Sequence, residues 1–135
     1  MSDDELEKIR RKKVEMLLKF QAMPREIITI NNAEDLNRLT NDFSDKIVVI
    51  DFWAVWCSPC KIFAPIFQKI HEEFYTHFIF AKINVDENPQ IAQHLGITSI
   101  PTTVLLKGDK VFRKFVGLMN YSTLKGMLEK LKPEL

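Results

Sequence analysis

Ile50-Asp51-Phe52-Trp53-Ala54-Val55-Trp56-Cys57-Ser58-Pro59-Cys60-Lys61 carries both cysteines of a 135-residue chain, at the point where one periodicity gives way to another. Upstream, Lys46 to Ala54 is apolar on both faces apart from Asp51, the pattern of a central strand covered by helices on either side. Downstream, Ile62, Phe63, Ile66, Phe67, Ile70 and Phe74 recur at intervals of one, three and four. That spacing predicts a long helix over Pro59 to Tyr75 with a wide apolar stripe. Pro65 falls inside this helix and is expected to kink it. The cysteine pair therefore belongs to a strand-to-helix junction, with Cys57 at the helix N-cap and Cys60 one turn in.

Working outward, Glu26-Ile27-Ile28-Thr29-Ile30 is a short β-branched run, and Asn31 and Asn32 are cap candidates for a helix through about Asp42. After the long helix, Phe78 to Val85 reads as a strand and Asp86 to Pro89 as a turn. A short helix over Gln90 to Leu95 follows, with Gly96 placed to cap its C-terminus. Strands at Thr102 to Lys107 and Val111 to Val116 flank Gly108-Asp109, which marks an antiparallel hairpin. A last helix, about Tyr121 to Leu131, carries Leu124, Leu128 and Leu131 on one stripe and stops at Pro133. The order β-α-β-α-β-α-β-β-α predicts an α/β fold, a mixed central sheet with helices on both faces.

Before this unit, Leu6, Ile9, Lys13, Met16, Leu17 and Phe20 recur at helical spacing, Ser2 and Glu5 form a capping-box pattern, and Pro24 ends the run. Acid-first pairs Asp4/Lys8, Glu7/Arg11 and Glu15/Lys19 suggest a solvated face. Residues 1–24 thus read as an N-terminal helical extension and residues 25–135 as one domain.

Composition excludes several classes. A 15.8 kDa chain can bury roughly two-thirds of its unfolded surface in one core without metal or disulfide staples. Its 46% hydrophobic and 27% charged content is neither disordered nor collagenous. A net charge of +1 gives no global case for nucleic acid or an anionic membrane. The local run Arg10-Arg11-Lys12-Lys13 is flanked by acids, which favours a solvated or core-docked helix face over a site for nucleic acid or an acidic partner. The charged start up to Lys13 is unlike a secretory signal. Ile47 to Trp56, which contains Asp51, is about half the length that crosses a bilayer. A cytoplasmic protein with no membrane partner is expected.

The spacing of the cysteines speaks for chemistry. A disulfide closing so small a loop would contribute only about 2 kcal/mol by chain entropy, against nearly 5 for a loop of ~100 residues. A metal site is not expected, since structural zinc takes four ligands and His71, His77 and His94 lack paired spacing. Two sulfurs one helical turn apart can instead join and separate reversibly. A Cys57 thiolate at the N-cap would accept hydrogen bonds from free N–H groups and feel the positive end of the helix dipole. Cys60, expected to be more enclosed, would remain a thiol until a mixed disulfide forms and then attack it, so that exposure sets the order of attack.

The segment from Ile50 to Lys61 closely resembles the active-site segment of the thioredoxin family, and Gly96-Ile97-Thr98-Ser99-Ile100-Pro101-Thr102 resembles that family's cis-proline loop. Val116-Gly117 also matches, and the resemblance extends over about residues 25 to 135, including the order of elements. It implies a thioredoxin fold and a protein disulfide reductase in which Cys57 attacks a client disulfide and Cys60 resolves the intermediate. A thioredoxin reductase or another thiol donor would restore both, with no cofactor beyond the redox-active pair.

By the same resemblance Asp51 would assist proton transfer. A carboxylate in an apolar strand has a raised pKa and can exchange a proton with the Cys60 sulfur near neutral pH. Lys82 matches the family's buried partner for it; the alternative is an ion pair that only fixes strand register. Pro101 should follow a cis peptide bond, the alternative being an ordinary trans turn. Trp56, Pro59, Ile100, Pro101, Val116 and Gly117 would border a shallow apolar surface for client proteins, with Trp53 packed against the active-site helix. Both tryptophans could also serve packing alone. Ser58 stands where the family most often has glycine, which bears on redox potential; a reducing protein is still expected. An oxidase or isomerase, and a non-catalytic adaptor, are the rival classes. The first needs an oxidising compartment, and the second has little use for two cysteines beside Asp51 and Pro101.

Overall fold

The computed structural model describes residues 2–132, the side chains of 17–22 excepted. Its elements are α1 (Asp3–Ala22), β1 (Ile28–Thr29), α2 (Ala33–Asp42), β2 (Ile47–Trp53), α3 (Ser58–Phe74), β3 (Ile79–Asn84), α4 (Pro89–His94), β4 (Thr102–Lys107), β5 (Lys110–Val116) and α5 (Tyr121–Leu131). The strands form one sheet in the order β1-β3-β2-β4-β5. β3 runs parallel to β1 and β2, whereas β4 is antiparallel to both β2 and β5. The mixed sheet and the central place of β2 are as the pattern predicts.

Side chains alternate across β2, so each of its faces builds its own core. Val48, Ile50 and Phe52 join Ile79, Ala81, Ile83, Val104 and Leu106 beneath Leu36 and Leu39 of α2 and Ile91 of α4. Val49, Phe80 and Leu105 face the other way, against Phe63, Phe67, Ile70 and Phe74 of α3 and Leu124 and Leu128 of α5. Phe67 meets Phe80 edge-on, with ring centroids 5.6 Å apart. This second layer holds α3 rigidly over the sheet, which fixes where its first turn lies.

Local chemistry sets the ends. Asn32 Oδ1 accepts the Asp35 amide at 2.8 Å, capping α2, and Asn120 Oδ1 caps α5 by accepting from Thr123 at 2.8 Å. Gly96, at φ +68°, closes α4, and Gly108, at φ +61°, turns the hairpin between Lys107 and Lys110. β1 is shorter than the run Glu26 to Ile30, because it lies at the sheet edge and has β3 alone as a neighbour. α3 continues unbroken through Pro65.

α1 begins with Ser2 Oγ accepting from the Glu5 amide at 3.2 Å, and Glu7 pairs with Arg11 at 3.9 Å. Leu6, Ile9 and Met16 are exposed, so the described part of this helix is solvated and not docked on the core. Leu17 and Phe20 of its stripe, Lys19 of its charge pairs, and Pro133 as the stop of α5 lie outside the described side chains and residues.

Candidate active site

Cys57 follows the turn that leaves β2 and is the N-cap of α3, with extended backbone at φ −89° and ψ 106°. Its sulfur accepts the Cys60 amide at 3.2 Å, and Pro59 in the first turn has no N–H to leave unpaired. The Cα atoms are 5.3 Å apart and the two sulfurs are joined as a disulfide. In the reduced protein the same amide and the helix dipole favour a thiolate on Cys57.

The expected difference in enclosure is not found: Cys57 and Cys60 are each 3% exposed. The reason is the proline loop, which covers Cys57 from above, with Ile100 O 3.7 Å from its sulfur. What separates the cysteines is direction. Cys57 faces the loop of Ile100 and Pro101, whereas Cys60 lines a cavity of about 210 Å³ with Asp51, Trp53, Ala54, Ala64 and Lys82. Trp53 is half-buried against Ala54 and both cysteines.

The Ile100–Pro101 bond is cis. Pro101 O accepts the Gly117 amide at 2.8 Å, which ties the proline loop to the end of β5, and Gly117 itself takes φ +97°. Beside the loop runs a groove of about 400 Å³ lined by Trp56, Val85, Ile97, Thr98, Ser99 and Ile100. Trp56 is 68% exposed, and its indole N–H donates to Asp86 Oδ2 at 2.8 Å, which fixes the ring against the groove. Pro59 and Val116 are also exposed, and with Trp56 they form an apolar rim around the cysteines.

Asp51 is 1% exposed, and burial pushes its carboxyl up to about 6, with the Lys82 charge pulling the other way. Lys82 stands opposite it on β3, its Nζ 3.9 Å from Asp51 Oδ2. The resemblance implies a buried lysine, but the side chain is 27% exposed along the cavity it lines, as a long stem with a charged end allows. Among the described residues, no three or more His, Cys, Asp or Glu side chains converge on a metal-sized site.

Two residues escaped the reading of the sequence. Asp86 orients Trp56 from a turn where acidic residues are common, and it carries no motif of its own. Thr103 is fully buried opposite Asp51, a neighbour visible only once the register of β2 and β4 is known.

A dithiol pair at a helix N-cap, a cis-proline loop over one sulfur and a buried carboxylate behind the other define a thiol–disulfide exchange protein on a mixed α/β sheet. The thioredoxin family model matches residues 26–130, and the chain belongs to the thioredoxin family. It is 47% identical over 76 residues to a thioredoxin of Chlorobaculum thiosulfatiphilum, covering 56% of this chain and 70% of that one. It is also 37% identical over 102 residues to a thioredoxin of Coprinus comatus, covering 75% and 93%. The crystal structure of Malassezia sympodialis thioredoxin superposes with a TM-score of 0.71 at 37% identity, covering 78% of this chain and 90% of that chain. The protein is a thiol–disulfide oxidoreductase.

Proposed function

We propose that the protein works as a disulfide reductase on client proteins, with Cys57 as nucleophile, Cys60 as resolving thiol and Asp51 as proton acceptor. The observation that carries this reading is the opposite outlook of the two sulfurs, Cys57 toward the proline loop and Cys60 toward Asp51. The Cys57 thiolate attacks one sulfur of a client disulfide, forming a mixed disulfide and releasing the client's other sulfur as a thiolate. Cys60 gives its proton to the Asp51 carboxylate and attacks the Cys57 sulfur. The Cys57–Cys60 disulfide forms and the client's second sulfur leaves as a thiolate; the two client thiolates take up one proton returned by Asp51 and one from solvent, and two electrons have passed to the client. An acceptor held near neutral pKa suits a thiol proton, because both protonation states are populated at working pH.

Trp56, Pro59, Ile100, Val116 and Gly117 supply the client-binding rim, and Pro101 holds the loop beside Cys57 without offering a side-chain ligand. Lys82 stabilises the ionised Asp51 by its charge. Residues 25–135 form the catalytic unit and residues 1–24 an extension to it. The cycle needs no cofactor other than the sulfur pair, and a thioredoxin reductase or a comparable dithiol donor completes it. Such a cycle suits electron transfer and redox balance in a reducing compartment such as the cytoplasm. No described helix is long and apolar enough to cross a membrane.

Equilibration with glutathione, read by thiol alkylation and mass, tests the direction of the reaction. A couple as reducing as about −270 mV, the order known for thioredoxin, is expected. A couple near about −120 mV, that of a strong oxidant, would overturn the assignment as a reductase.

A further inference from the structure

On the face of the sheet beneath α3, three polar side chains stand side by side on adjacent strands. Lys82 of β3 pairs with Asp51 of β2, and Asp51 pairs with Thr103 of β4. The pairs Val49 with Phe80 and Val49 with Leu105, two residues along, belong to the α3–α5 core, which puts all three polar groups on that face. Beyond Thr103 the row ends on Phe115 of β5.

Thr103 is 0% exposed, and its hydroxyl has no hydrogen-bond partner in the protein; neither has Asp51 Oδ1 or Oδ2. Three buried polar atoms on directly opposed residues are costly while unpaired and complementary to one another, since a hydroxyl can donate and a carboxylate can only accept. Cβ atoms of directly opposed residues in an antiparallel pair lie about 4.5–5.5 Å apart, so one rotamer change brings hydroxyl and carboxylate into contact. An apolar residue at this place would fill the same space without a polar atom, as Val49 and Leu105 do two residues along.

We infer that Thr103 is a positioning residue for Asp51: its hydroxyl hydrogen-bonds the ionised carboxylate, holds it toward Cys60 and favours its charged form. This rests on the reading of Asp51 as acceptor of the Cys60 proton. The other groups that face Asp51 are Lys82 from β3 and Cys60 and Lys61 from α3, and β2 adds no second charge there. Lys82 acts on the carboxylate from the solvent side; Thr103 acts from the dry side, where a donor has no competition from water.

The test is the titration of the Asp51 carboxyl carbon by NMR in the reduced protein, in wild type, Thr103→Val and Thr103→Ser, alongside the pH profile of disulfide reduction. Thr103→Val keeps the β-branched shape and removes the donor. Its Asp51 midpoint should rise by about one pH unit, and its rate should fall about twofold at pH 7, more steeply toward pH 6, and recover toward pH 8. Thr103→Ser, which keeps the hydroxyl, should restore both. Should Thr103→Val prove unstable, Thr103→Ala against Thr103→Ser gives the same comparison. Superimposable titration curves in the hydroxyl-bearing and hydroxyl-free proteins would overturn the inference. Asp51→Asn separates the two ideas: an unchanged rate at neutral pH in that variant defeats the proton role of Asp51, whereas the carboxyl titration still decides whether Thr103 governs it.

Discussion

Asp51 and Lys82 are paired across β2 and β3 but live in different solvents: the carboxylate is dry, and the ammonium 3.9 Å away is partly in water. The lysine therefore recovers only part of what burial costs the carboxylate, and the acid titrates near 6 and not near 3.8. Between those values the folded protein keeps a proton that the unfolded chain has already lost. Stability is thus highest below about pH 4 on account of this group, falls as pH rises through about 6, and stays lower above. A shift of this size corresponds to about 3 kcal/mol. Asp51→Asn, which mimics the protonated acid, should be more stable than wild type by up to about 3 kcal/mol at pH 8 and indistinguishable at pH 3.5. Urea unfolding at the two pH values checks it, and an equal difference at both would contradict the dry environment assigned to Asp51.

The opposite outlook of the two sulfurs makes the single-cysteine variants unequal. Cys60→Ser retains the nucleophile at the N-cap and loses the group that resolves the intermediate, so it should accumulate a covalent adduct with a client disulfide. Cys57→Ser should form none, because Cys60 is buried and faces the cavity beside Asp51 and not the proline loop where a client docks. Intact-mass spectrometry after incubation with an oxidised model protein distinguishes them. Adducts on Cys60 in the Cys57→Ser protein, at a yield matching that of Cys60→Ser, would reverse the assigned roles.

Much of this was readable in the chain because the strong signals were local. The run of apolar residues around Asp51 marks a strand buried on both faces, and β2 is the middle strand. The stripe from Phe63 to Phe74 and the caps at Asn32 and Gly96 placed α2, α3 and α4 to within a residue or two. Relations between distant residues were not legible. That both cysteines are equally enclosed depends on Ile100, 43 residues along the chain, folding over Cys57. The solvent reach of Lys82, the indole bond of Trp56 to Asp86 and the opposition of Thr103 to Asp51 all follow from strand register and loop packing, which no spacing encodes.

Helix α1 gives a sharp prediction, because its described side chains are exposed whereas Met23, just after it, packs in the core. Removing residues 1–16 and keeping Met23 should change unfolding stability by no more than about 1 kcal/mol and leave reduction of a small disulfide unchanged. Removing Met23 as well should cost more, since a buried methionine is lost from the hydrophobic core. Thermal melts of the two truncations give the comparison, and equal losses in both would show that α1 bears on the core.

Trp56 exposes a large apolar ring at the rim of the groove and yet is held in place by Asp86. A ring ordered in advance loses little freedom when a partner covers it, which is the property of an interface anchor. Trp56→Ala should therefore raise the KM for a protein disulfide by about tenfold, equivalent to ~1.4 kcal/mol of lost contact, with the rate on a small aromatic disulfide little changed. Asp86→Ala keeps the ring and frees it, so a smaller rise in the same direction is expected. Parallel kinetics on the two substrates separate docking from chemistry: an equal loss on both would mean that Trp56 acts on the sulfurs through Cys57 and not through the partner it binds.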